Sequence, residues 1–281
     1  MTFVAIIGAG DLGGAVAQAL ASRESATRVL LVDEAAAAAA GKALDIQQMC
    51  AITGSQTSLR GTGDTSEAIG CAVCIVADRF GPAGEWRGEE ARAMVASLHQ
   101  MIGKAPLILA GVAQSDLLRR AVLEAGMARK QVVGSAPEAL ASAARAIVAL
   151  EARCAPSEVT LAVLGAPPDG FVIPWSEAAV GGYALAQVLT TVQLGRVEAR
   201  VARLWPPRPY ALGLAAATVT EGMLRSARRA YSVLALLDGE LGVRGRVGTV
   251  PAFFDSGGIA ALREPSLSNR ERVQLDTFLQ K

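Results

Sequence analysis

The 281-residue chain holds one histidine, His99, and four cysteines, and aromatic residues make up only 4% of it. Each scarcity closes off a class of protein. Cys50, Cys71, Cys74 and Cys154 are too few and too scattered for a disulfide framework. Cys71 and Cys74 do form a C-x-x-C, but within IGCAVCIVA, which reads as a buried strand. Residues at that spacing on a strand face opposite ways, so the pair reads as small core residues and no metal is expected. A reducing cytoplasm is the expected setting. Charge of either sign is not in excess: 27 Lys and Arg stand against 26 Asp and Glu, a formal net charge of +1. That balance gives no electrostatic case for nucleic acid or an anionic membrane. Long hydrophobic runs are missing too; none approaches the roughly 18 residues of a membrane span. MTFVAIIGAG has no basic region before its apolar run, so it reads as a first strand rather than a leader peptide.

What is present is apolar and regularly punctuated. Hydrophobic residues make up 52% and charged residues 19%, which suits a packed core and argues against disorder. The first half alternates short apolar runs with helical patterns. FVAIIGAG, RVLLVD, CAVCIVA, APLILAGV and KQVVGS read as strands. GGAVAQALASR, EAAAAAAGKALDIQQMC, ARAMVASLHQMI and QSDLLRRAVLEAG read as the helices between them. Such alternation implies a parallel sheet covered on both faces. The second half mixes EALASAARAIVALEA, VEARVARLW and AAATVTEGMLRSARRA with the strands VTLAVLG, SVLALL and VGTVPAFF. The expected fold class is α/β, a Rossmann-type doubly wound sheet over residues 1–134 followed by an α+β domain over 135–281.

GAGDLG is the clearest motif. Gly8, Gly10 and Gly13 form a G-x-G-x-x-G that follows a strand and opens a helix. Gly8 allows a tight turn, Gly10 lets a pyrophosphate approach the backbone, and Gly13 lets helix and strand pack closely. The helix start, with Asp11, Leu12 and Gly13, offers free N–H groups to an anion. Asp33 ends the second strand twenty residues after Gly13, where an acid accepts hydrogen bonds from an adenosine ribose and favours NAD over NADP. The plain alternative is a glycine-rich turn without ligand. Asp11 is an acid inside the loop; it either faces solvent or works against a phosphate.

Taken in order, several stretches resemble the lactate/malate dehydrogenase family. They are VAIIGAGDLGG, LLVD, GKALDIQQ with Asp45, GTGD, LGAPPDGFVIPWSEAAVGG with Trp175, SVLALLDGELGVRG and VGTVPAFFDSGGIAAL. The resemblance spans nearly the whole chain, which is shorter than is usual for the family, with gaps near 100–106 and 154–156. It implies NAD, a 2-hydroxy or 2-oxo acid substrate and a homodimer or homotetramer. It also implies a histidine that moves the hydroxyl proton, an aspartate that orients it, two substrate arginines and an Asn-Pro asparagine.

Carried over position by position, part of that set is missing. GPAGEWRGEEA resembles the mobile loop and places Arg87 at the carbonyl-polarising position, while the substrate-reading position falls near Gly81 or Pro82. ALASAAR places Arg145 at the carboxylate-binding position and Ser142 at the orienting aspartate. AQSD puts Ala113 at the asparagine and keeps Asp116. GAPPD puts Pro167 at the proton-transfer histidine and keeps Asp169. Asp78 stands near the cofactor, where an acid weakens NAD binding by repulsion. Ketone reduction needs a proton as well as a hydride, and proline supplies none. Two expectations follow. One is a dinucleotide-binding but catalytically impaired or inactive member, a pseudoenzyme with a binding, sensing or scaffold role. The other is an active oxidoreductase with a rewired acid–base site, for which Asp169, Tyr183 and Tyr210 are the available donors. His99 reads as a packing or capping residue.

Overall fold

The computed structural model describes residues 2–82 and 84–280. The first half contains β1 (Phe3–Ile7), α1 (Asp11–Ser22), β2 (Arg28–Val32), α2 (Ala36–Thr53), β3 (Ser58–Thr62), β4 (Val73–Val76), α3 (Gly88–Ile102), β5 (Leu107–Leu109), α4 (Ser115–Leu123) and β6 (Val132–Gly134). β1, β2, β4, β5 and β6 are almost wholly buried apolar runs, as strands covered by helices on both faces must be. They pair in parallel in the order β3-β2-β1-β4-β5-β6. The strand order reverses between β1 and β4, and an open parallel sheet forms its crevice at such a switch point.

The second half contains α5 (Ala136–Ala152), β7 (Val159–Thr160), β8 (Leu164–Ala166), β9 (Gly170–Val172), β10 (Ala179–Val180), β11 (Tyr183–Ala184), α6 (Leu185–Val188), α7 (Thr191–Val201), α8 (Pro209–Leu224), β12 (Tyr231–Asp238), β13 (Arg244–Asp255), β14 (Gly258–Leu262) and α9 (Asn269–Leu279). β12, β13, β8 and β9 continue the sheet antiparallel from β6, and β14 pairs β13, giving eleven strands in one sheet among the described residues. The join is narrow: Leu234 of β12 opposite Gly134 of β6. A Cβ at Gly134 would press on the Leu234 side chain, so the close approach explains the glycine. β7, β10 and β11 form a separate three-stranded sheet. One helix of the second half reaches back over the first: α8 packs on α1, and a Cβ at Gly213 would strike Ala15. Among the described residues no helix is long and apolar enough to cross a membrane.

Two sequence expectations need correction. VTLAVLG is not one strand: β7 joins the small sheet and β8 the large one. Between them the Val163 N–H donates to the Ser232 hydroxyl at 3.0 Å instead of to a strand partner. The C-x-x-C does not lie on one strand either, because β4 begins at Val73 and Cys71 precedes it. The strand alternation that would separate the two thiols therefore does not apply. Both are buried; the Cys74 thiol lowers the pKa of Cys71, and Cys71 together with burial raises that of Cys74.

Candidate functional site

β1 delivers the chain into the glycine turn at the crevice. Gly8 adopts φ +112°, and a side chain there would collide with the Asp78 backbone, so glycine is required twice over. The Gly8 N–H donates to the Val32 carbonyl at 2.7 Å, and the Gly10 N–H to the Asp78 carbonyl at 2.9 Å. α1 then starts without a side-chain cap from its preceding residue, Gly10. Leu12 and Gly13 are buried, and Asp11 is exposed. The opening of the helix is instead capped from across the crevice: the Gly13 N–H donates to Asp78 Oδ1 at 3.0 Å. A methyl group added at Gly10 would run into the same carboxylate. On the other side Lys42 Nζ donates to the Gly10 carbonyl at 2.6 Å.

A dinucleotide needs the first N–H groups of this helix and bare space over the second glycine. Asp78 takes one of those N–H groups, that of Gly13, and fills the space over Gly10, so the residues present do not fit a pyrophosphate in this arrangement. The ribose position is engaged as well. Asp33 is buried, and its carboxylate accepts the N–H groups of Ala9 at 2.8 Å, Phe80 at 2.9 Å and Ala35 at 3.0 Å.

The segment resembling a mobile loop is pinned. Glu85 accepts the N–H of Val112 at 3.0 Å, the N–H of Ala113 at 3.1 Å and the Gln114 amide at 3.1 Å. Trp86 is buried, with the Arg79 guanidinium 4.5 Å above its ring, and Arg79 is ion-paired to Glu90 at 2.8 Å. Arg87 is exposed at the start of α3, and Gly81 and Pro82 are exposed too. Ala83 of this loop lies outside the described residues. Ala113 is an exposed residue whose N–H is held by Glu85, and Asp116 pairs with Arg119 and Arg120 on the outer face of α4.

Arg145 lies on α5 and is committed to a protein partner. Its Nη2 donates to Glu138 Oε1 at 2.5 Å and to the Ser142 hydroxyl at 2.9 Å. Glu138 is 1% exposed and also receives Arg229 Nη2 at 3.3 Å and the Ser232 N–H at 2.9 Å. Arg145 lines a cavity of about 430 Å³ together with Arg228, Arg229, Arg263, Ser232 and Glu177.

LGAPPDG forms a three-residue turn between β8 and β9, with Ala166 opposite Gly170 and the Asp169 N–H donating to the Ala166 carbonyl at 2.8 Å. Pro167 is buried, Pro168 and Asp169 are exposed, and the Pro167–Pro168 bond is cis. Pro168 and Asp169 line a different cavity of about 650 Å³, with Trp175, Trp205, Arg270 and Phe278. The structure thus puts Arg145 in one cavity and Pro168 and Asp169 in another, while Pro167, Arg87 and His99 line neither. Tyr183 and Tyr210 are exposed. Cys50, Cys71, Cys74 and Cys154 are unpaired, and no cluster with metal-ligand character occurs among the described residues.

Glu271 braces the segment after the turn. It accepts the Ser268 N–H at 2.8 Å and hydroxyl at 2.7 Å, the Trp175 N–H at 2.9 Å and the Ser176 hydroxyl at 3.3 Å. Burial pushes its carboxyl up, but these donors outweigh burial and hold it below its ordinary value of 4.5. For Glu240, burial is likewise outweighed, by the Asp238 N–H and by Arg129. A depressed folded-state pKa adds stability that is present above the unfolded value and lost as pH falls through the folded one. Urea midpoints are therefore expected to drop on acidification from about pH 5 downward. Glu271→Gln should flatten part of that slope; an unchanged slope would remove Glu271 as a contributor.

Sequence reading missed Glu85, Glu138 and Glu271. Two of them carried a usable signal. Glu138 and Arg145 are seven apart on one helix, which sets them on one face. Ser268-x-x-Glu271 is a capping box, present here with both reciprocal bonds. Glu85 offers no such pattern.

A six-stranded parallel sheet in this order, opening a glycine turn onto a helix and continued by an antiparallel block, defines a dehydrogenase-type Rossmann architecture. No family model matches the chain. It is 28% identical to a malate dehydrogenase of Thioalkalivibrio sulfidiphilus, over 99% of this chain and 96% of that one. It is 27% identical to a malate dehydrogenase of Myxococcus xanthus, over 99% and 94%. The solved malate dehydrogenase of Salinibacter ruber superposes with a TM-score of 0.86 at 25% identity, covering 98% of this chain and 93% of that one. A lactate dehydrogenase of Cryptosporidium parvum, solved with lactic acid and nicotinamide adenine dinucleotide, shares the fold at a TM-score of 0.88 and 24% identity, over 99% and 95%. The chain is thus similar to lactate and malate dehydrogenases along nearly its whole length and shares their fold.

Proposed function

We propose that this chain is a catalytically silent member of the lactate/malate dehydrogenase family, retained for a binding, sensing or scaffold role. The observation that carries the reading is Pro167, buried at the tip of the turn where the family resemblance expects the proton-transfer histidine. The donors that the sequence offers in its place are not gathered at that turn. Asp169 beside it is exposed, Tyr183 and Tyr210 are on the surface, and His99 lies on α3. Arg145, the carboxylate-binding position by resemblance, is held by Glu138 and Ser142. In this reading residues 1–134 form the Rossmann-type half and 135–281 a substrate-type half. A small carboxylate is the ligand class, and the arginines of the cavity beside Arg145 support it. The protein works in the cytoplasm as a homodimer or homotetramer, which the exposed apolar residues Leu44 and Ile52 on α2 and Tyr210 and Leu214 on α8 support.

The test is a hydride-transfer assay across 2-oxo acids with NADH. A positioned acid–base group is worth about 10²–10⁴-fold in rate, so turnover at background level is expected. Turnover at rates usual for dehydrogenases would favour a rewired oxidoreductase instead. Pro167→His combined with Ser142→Asp is expected to stay silent, because Arg145 remains paired to Glu138 and residue 167 is buried and does not line the cavity that Arg145 lines. A gain of activity in that double variant would show that the substrate site is assembled after all.

A further inference from the structure

We infer that the dinucleotide crevice of this chain is filled from within, Asp78 serving as a built-in anion in place of a cofactor's pyrophosphate. This goes beyond the loss of proton transfer, since a silent enzyme could still hold its cofactor. Three independent carboxylates carry it. Asp78 takes the Gly13 N–H at the opening of α1 and fills the space over Gly10. Asp33 spends both oxygens on the N–H groups of Ala9, Phe80 and Ala35. Glu85 draws the neighbouring loop onto Val112, Ala113 and Gln114. The helix start attracts one anion, and a second cannot share the same N–H group. A pyrophosphate would have to displace the Asp78 side chain, and the Gly10 N–H, spent on the Asp78 carbonyl, is not free to receive it either. The consequence is a Rossmann half that is complete without a dinucleotide.

The experiment is a titration of the full chain with NADH, followed by nicotinamide fluorescence and by calorimetry, in wild type, Asp78→Gly and Asp78→Asn. Asp78→Asn keeps an oxygen for the Gly13 N–H while removing the charge, so it stays informative where the glycine variant folds poorly. Wild type is expected to show no saturable binding at millimolar NADH. Asp78→Gly should bind at least tenfold better than wild type, with NADH raising its melting temperature, and Asp78→Asn, which loses the charge but keeps a side chain over Gly10, should fall between the two. Saturable sub-millimolar binding by wild type, with amide protection appearing at residues 8–13, would overturn the inference. So would folded variants that bind no better than wild type. Because no 2-oxo acid is present, the outcome is independent of whether the chain turns over substrate.

Discussion

Glu138→Ala is expected to lower the unfolding free energy by about 3–5 kcal/mol, the usual cost of removing one partner from a buried ion pair. Glu138 is 1% exposed and sits at the meeting point of Arg145, Arg229 and the Ser232 N–H. Alanine leaves the Arg145 guanidinium, whose side chain is 17% exposed, with a hydroxyl as its remaining hydrogen-bond partner. It also strips the partner from a backbone N–H on β12, next to the seam that joins the two halves of the sheet. For a chain of this size the loss corresponds to a melting temperature lower by roughly 10 °C. Glu138→Gln should cost less, because an amide oxygen still serves Ser232. Glu138→Leu with Arg145→Met should recover much of the loss, since a buried pair replaced as a unit is often neutral. A denaturation midpoint for Glu138→Ala within experimental error of wild type would show that the cluster is not a structural unit.

Asp33→Ala should be the next most damaging change, on the order of 3 kcal/mol. The carboxylate is 7% exposed and its bonds reach three separate segments: Ala9 in the glycine turn, Ala35 before α2 and Phe80 after β4. Hydrogen bonds to a charged acceptor are worth about 1.5–3 kcal/mol each, and N–H groups left buried add a desolvation cost. Asn is not a neutral control here. One amide oxygen can serve Ala9 and Phe80, but the NH₂ group then faces the Ala35 N–H, donor against donor. About half the loss is expected for Asp33→Asn. Equal stability of Asp33→Ala and wild type in urea would mean that solvent replaces the carboxylate at no cost.

Local chemistry wrote the first half of the fold plainly. Buried apolar strands, an alanine-rich helix and G-x-G-x-x-G each announce themselves over a few residues, and β1, β2, β4, β5 and β6 lie where those runs fall. The second half was harder, for a physical reason. VTLAVLG reads as one strand, yet it divides between two sheets, with Ser232, sixty-nine residues away, supplying the partner at Val163. A period of two says that a segment can be a strand, not which sheet receives it. The substitutions at Pro167, Ser142 and Ala113 were visible as residues out of place. What the surviving charged groups do was not. Asp78 could be seen as an acid in the wrong setting, but its bond to Gly13 spans sixty-five residues. Arg145 could be matched to a substrate position, while the structure spends it on Glu138. Arginine is versatile, and only the surrounding acids decide its use.

The antiparallel block has a role besides carrying cavities. β6, with Val132 and Val133 fully buried, would end the parallel sheet as a bare edge were β12 not laid against it. An exposed apolar edge is a template for any other extended chain. The second half is thus the protective selvedge of the first, and it shields β6 whether or not a substrate ever enters. That gives selection a reason to keep both halves of the fold that is independent of any chemistry in the crevice.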